Sequence, residues 1–197
     1  MSQILQSLHK TLLAGLVLLV LIVVIAGAVS GSPIQFTQVW ASFVFRWLHV
    51  TCGVMWIGLL WYFNFVQIPN MAKIPDEQKP AIGKVIAPAA LFWFRWAALA
   101  TVITGFVVAG LQGYLHAALR LQIGYAAIGI GMWLALIMAF NVWFIIWPNQ
   151  KKALGIVVVE PAAKAAAARL AMLTSRTNTM LSIPMLYMMV AQSHGGL

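Results

Sequence analysis

The chain has 197 residues, 63% of them hydrophobic and 8% charged, with a formal net charge of +9. Soluble domains carry about 25% charged residues, so three acids and twelve bases exclude a water-facing globular fold and imply an integral membrane protein. A basic balance in a soluble chain would point to nucleic acid. Here the apolar background makes it a loop-charge bias instead, and no nucleic-acid partner is expected.

The lone cysteine, Cys52, excludes an internal disulfide framework, a CxxCH haem attachment and a thiolate metal cluster. The predicted fold is all-α: a single integral membrane domain, a polytopic bundle of about five transmembrane helices. The spans fall at about 12–29, 40–67, 89–110, 123–147 and 170–193, since a crossing takes about 20 apolar residues.

The first span follows Lys10 and ends at Ser30-Gly31-Ser32-Pro33. Ala26-Gly27-Ala28 fits a cleavage site, but a retained anchor is expected. The second starts between Gln38 and Phe45 and stops at Pro69, and the third opens after Pro88, a residue suited to a helix start. The fourth ends at Pro148-Asn149-Gln150-Lys151-Lys152. The fifth follows the helix-prone 162–168 alanine tract and carries Pro184, which removes a backbone donor and predicts a kink.

Five spans put the termini on opposite sides. Lys10, Lys73, Lys79, Lys84, Lys151, Lys152, Lys164 and Arg169 then share one side, against Arg120 alone in a loop on the other. By the positive-inside rule the N-terminus is expected to be cytoplasmic and the C-terminus outside, which in a bacterium means the inner membrane with the C-terminus in the periplasm. Trp40, Trp47, Trp61, Tyr62, Trp93, Trp96, Trp143 and Trp147 lie near the helix ends and read as interface anchors. The Gly105/Gly110/Gly113 and Gly124/Gly129/Gly131 groups read as close-packing sites between helices.

Two clusters could carry chemistry. On the second helix Arg46, His49, Gly53 and Trp56 fall at i, i+3, i+7 and i+10, one face. A histidine within a span is costly and tends to be functional. An imidazole for iron, a glycine leaving room for a flat ring and an arginine for a propionate would suit haem b. His116 and His194 lie on the same side as second ligands or metal partners, with His49 and His194 the pair considered for a metal. Equally open is a histidine bonded to a neighbouring helix, with Arg46 reaching the headgroups.

The second cluster is Asn64, Arg95, Asn141, Arg176 and Asn178, near the cytoplasmic face. No carboxylate in any span neutralises the two arginines. They imply either contact with headgroups or an anion and substrate site. No catalytic residue is identified.

The segments RWLHVTCGVMWIGLLWYFNF (46–65), NVWFIIWPNQK (141–151) and SRTNTMLSIPMLYMMVAQSH (175–194), with Arg95-Trp96-Ala97-Ala98-Leu99, resemble the membrane domain of the bacterial urate hydroxylase family. The resemblance runs from Trp40 to His194. It implies a membrane domain linked to urate oxidation, which many members extend with a cytochrome c domain. No CxxCH is present here, so either a separate cytochrome c partner or a different use of the same domain is implied. The phrase LHxxxGxxWIG is also similar to the first helix of haem-linked membrane protoporphyrinogen oxidases and membrane copper proteins, a shorter likeness that favours His49 as a ligand.

The expected function is therefore a membrane oxidoreductase or electron-transfer subunit with haem b near His49, passing electrons to a periplasmic cytochrome. The alternative is an accessory subunit of a larger membrane complex. A transporter ranks last, for want of paired broken helices.

Overall fold

A computed structural model describes residues 2–196, and among them it contains helices and turns but no strand. Two compact units divide the chain, Met1–Ala41 and Ser42–Leu197. The first holds a short turn, Ser2–Leu5, and helix α1, Leu8–Val29. α1 is apolar around its whole circumference and none of its residues is buried. A helix without a polar face finds its solvent in lipid.

The second unit is built from α2 (Gln38–Lys73, whose first residues precede the unit boundary), α3 (Lys79–Leu111), α4 (Leu115–Leu119), α5 (Ala126–Ala153) and α6 (Pro161–His194). Among the described residues four helices, α1, α2, α3 and α5, are long and apolar enough to cross a membrane. Several predicted bounds move: α1 opens at Leu8, α2 runs past Pro69 to Lys73, α3 opens at Lys79 rather than after Pro88, α5 opens at Ala126 and runs on through Pro148 to Ala153, and α6 opens at Pro161.

α6 has 34 residues and continues unbroken through Pro184, but its composition is more polar than that of the other four. Part of the reason lies in its packing. Ser175, Asn178 and Ser182, at i, i+3 and i+7, are buried against neighbouring helices rather than facing outward.

Contact partners show that neighbouring helices run antiparallel. From α2 to α3 the pairs are His49 with Thr101 and Phe63 with Phe94; from α5 to α6 they are Asn141 with Asn178 and Ile128 with Gln192. The core is a seam of Trp56, Leu60, Leu91, Phe94, Ala98, Met138 and Val142. Small residues let backbones approach: the carbonyl of Ala118 lies directly against Gly129, and Met189 packs on Gly131.

Among the described residues three helices contain a wide π turn, at Tyr62–Gln67, Ile82–Ile86 and Asn141–Ile146. In each the closing bond spans five residues: Ile68 N–H to Phe63 O, Ala87 N–H to Ile82 O, Trp147 N–H to Val142 O. Each is followed two residues later by proline, at Pro69, Pro88 and Pro148. A proline ring clashes with the carbonyl four residues back, and a wider turn relieves that clash. Asn70 and Asn149 then donate their side-chain amides to the carbonyls of Val66 and Ile145, at 2.7 and 2.8 Å. Because adjacent helices alternate in direction, all three wide turns lie at one end of the bundle.

Candidate functional site

His49 is half-buried between α2 and α3. Its Nδ1 lies 2.8 Å from the carbonyl oxygen of Thr101. A carbonyl only accepts, so Nδ1 carries the proton and Nε2 keeps its lone pair. Thr104 Oγ1 stands 3.5 Å from the same nitrogen while donating to the Ala100 and Thr101 carbonyls. The ring lies against Gly105: a Cβ there would meet Cε1 at 2.9 Å and Nδ1 at 3.1 Å. An imidazole whose Nδ1–H is fixed by a carbonyl, with Nε2 free, is the arrangement that orients a metal-ligating histidine.

The other residues predicted around His49 are placed less closely. Gly53 turns to α3, where a Cβ would touch the Thr101 methyl at 3.8 Å, and Trp56 is fully buried. Arg46 is exposed; its charge acts on Tyr114 in the α3–α4 turn, whose phenol burial pushes up while Arg46 opposes the shift. His116 is exposed on α4. His194 is exposed at the end of α6, with Nδ1 3.1 Å from the Val190 carbonyl. Among the described residues no group of three or more His, Cys, Asp or Glu could hold a metal ion.

The second predicted cluster separates into two parts. Asn64, Asn141 and Asn178 join a polar ladder through the bundle. Asn64 donates to Ser175 Oγ at 2.8 Å and to the Leu60 carbonyl; Asn141 donates to Asn178 Oδ1 at 2.8 Å. Asn178, fully buried, donates to the Met138 carbonyl at 2.9 Å, and Trp61 donates to Ser182 Oγ at 3.0 Å. Bonds of this kind between membrane helices contribute about 0.6 kcal/mol each on average. They tie α2, α5 and α6 together, which gives these asparagines a structural task.

Arg95 stands apart from that ladder. Its guanidinium carbon sits 3.4 Å from the centre of the Trp147 indole and 5.9 Å from that of Trp143. Nε and Nη1 are buried with no acceptor, and so is the Trp143 indole nitrogen. Arg176 is exposed on α6 and joins neither group.

Sequence reasoning missed Thr101, Ser175 and Ser182, and read Trp61, Trp143 and Trp147 as interface anchors without the contacts that Trp61 makes with Ser182 and that Trp143 and Trp147 make with Arg95. The Ser175-Asn178-Ser182 spacing was the available signal for one buried polar face. Nothing local marks Thr101, because His49 reaches its carbonyl, which every residue has.

The family model described as urate oxidase N-terminal matches residues 119–196. The match covers α5 and α6, under half of the chain, and so takes in Asn141, Trp143, Trp147, Asn178 and His194 but neither His49 nor Arg95. No curated protein and no solved structure matches the chain.

Proposed function

We propose that this chain is an electron-transfer protein of the bacterial inner membrane, of the urate oxidase N-terminal type, holding haem b through His49. The observation that carries the reading is the 2.8 Å contact of His49 Nδ1 with the Thr101 carbonyl, which leaves Nε2 as a ligand. His194 offers the matching arrangement, with its own Nδ1 on the Val190 carbonyl. The register supports the pair: Trp61 meets Ser182, and twelve residues further along each antiparallel helix stand His49 and His194. His49 and His194 are the residues that would hold the haem iron, and imidazole is a donor suited to it.

Bound haem would supply one-electron storage. The chain's own residues hold its ligand: Thr101 fixes the tautomer, and Gly105 leaves the imidazole room to lie flat. Asp76, Glu77 and Glu160 all lie outside α1, α2, α5 and α6 and outside the apolar length of α3, so the interior offers no carboxylate for proton transfer. That favours passing electrons to a separate cytochrome c, or an accessory place in a larger membrane complex, over acid–base catalysis within this bundle.

In this reading α6 is a fifth span. It lies antiparallel along α5, and Ser175, Asn178 and Ser182 face protein rather than lipid, so mean hydropathy understates it. The lysine-rich loops are cytoplasmic and the C-terminus is periplasmic.

The test is the reduced-minus-oxidised spectrum of purified chain expressed with ample haem. The reading expects a b-type α-band that disappears in His49→Ala and shifts to a high-spin form in His194→Ala, with His116→Ala unchanged. Absence of any Soret band from the folded wild-type chain would overturn it.

A further inference from the structure

We infer that Arg95, Trp143 and Lys151 form a binding site for a phosphate oxyanion at the end of the bundle that carries the wide turns. This inference is independent of haem: Arg95 is ten residues before Gly105 on α3, about 15 Å away at 1.5 Å per residue.

Two cations address one indole. Arg95 Cζ lies 3.4 Å from the Trp147 ring centre, and Lys151 Nζ lies 5.5 Å from it. The ring's face accounts for part of the attraction, but an indole carries no charge to neutralise either group. No acid does so either. The one ion pair among the described residues is Lys79 with Asp76, and neither Arg95 nor Lys151 has a carboxylate partner.

The hydrogen-bond inventory points the same way. The contact with Trp147 is made by the guanidinium over the indole ring and uses none of its N–H groups as a donor to an acceptor atom. Arg95 Nε and Nη1 have no acceptor, and the neighbouring Trp143 Nε1 has none. Three donors, two of them on a cation, with no acceptor, match the several oxygens of a phosphate, which accepts from an arginine fork bidentately. Arg95 as a whole is half-buried while the three donors themselves are buried, so an oxyanion reaches them by displacing side chains at the rim of the bundle. Lys151 and Trp147 close α5, where a tryptophan and a lysine meet the headgroup level of a bilayer.

The same chemistry is carried by the headgroup of an anionic phospholipid and by free phosphate, and the experiment separates them. Full-length protein is reconstituted in nanodiscs of phosphatidylcholine alone, or with about one third phosphatidylglycerol. Thermal unfolding is read in each, and in phosphatidylcholine discs with millimolar inorganic phosphate. Native mass spectrometry counts retained phosphatidylglycerol.

A stabilised wild type retaining one phosphatidylglycerol identifies a lipid site. Stabilisation by phosphate in the neutral discs identifies a free-anion site. Arg95→Gln should abolish whichever effect appears. Trp143→Phe, which keeps the ring and removes only the N–H, should weaken retention about tenfold, the size of one hydrogen bond to a charged group. If neither probe stabilises the wild type, or if both variants bind as it does, the site does not exist. Arg95→Lys guards against misfolding: it keeps the charge, and partial binding there confirms that the planar edge matters.

Discussion

Replacing Gly105 with alanine tests whether the His49 ring is held as described. The new methyl would stand 2.9 Å from Cε1 and 3.1 Å from Nδ1, closer than carbon atoms come in packed proteins, so the ring must move. It is tied to the Thr101 carbonyl at 2.8 Å, and losing that bond costs about 1 kcal/mol. Forcing a methyl into an occupied contact adds about 1–3 kcal/mol. A glycine-to-alanine change inside a helix returns about 0.5–1 kcal/mol.

The balance is a destabilisation of about 1–3 kcal/mol, obtained from those three quantities. Gly58→Ala is the control, because a Cβ there meets nothing within 4 Å; it should be neutral to slightly stabilising. Unfolding in mixed micelles, followed by circular dichroism, measures both. In the double variant His49→Ala/Gly105→Ala the methyl has room, and the penalty for Gly105→Ala should vanish. If Gly105→Ala is as stable as Gly58→Ala, or if the penalty survives removal of the imidazole, the packing of His49 on α3 is not as described.

Asn141 and Asn178 should be coupled. A double-mutant cycle to alanine, read by the same unfolding assay, is expected to give about 0.5–2 kcal/mol of interaction, with the single Asn178→Ala the larger loss because it also frees the Met138 carbonyl. At the surface, the hydrogen bond from Lys79, together with its charge, holds the Asp76 carboxyl below its ordinary range. A lowered folded-state value stabilises above the ordinary carboxylate pKa, and the effect fades as pH falls through the lowered one. Lys79→Met should return Asp76 toward its usual titration in a carboxyl-carbon NMR experiment. The orientation proposed from the lysine-rich loops predicts that alkaline phosphatase fused after His194 is active and that a green fluorescent protein at the same place is dark; the reverse pattern would invert the topology.

The helices themselves were legible because apolar runs bounded by proline, glycine and lysine leave few alternatives in a bilayer. The wide turns were not. Each holds one residue more than an α-turn, so a helical wheel drawn across it slips by about 100°, and nothing in Tyr62–Gln67 or Asn141–Ile146 announces the extra residue beyond the proline that follows. That is why Asn141 and Trp147 could not be assigned to faces from spacing. His49 and Arg95 stood out as polar groups in apolar stretches, yet their partners did not. Gly53, on the same helix, looked like the residue giving His49 space, whereas the ring lies on Gly105 of the next helix. Spacing along one helix describes that helix alone; contacts between helices depend on relative height and rotation, which no local pattern encodes.

The three wide turns make the two ends of the bundle mechanically unequal. At the end that carries them, three helices have a stretched hydrogen-bond ladder and a proline with no amide to give. At the His49 end the same helices run in regular α-turns. Backbone amides near 62–67, 82–86 and 141–146 should therefore exchange with deuterium first. A partner or lipid arriving there meets a compliant rim, able to adjust while the far end keeps its histidine still.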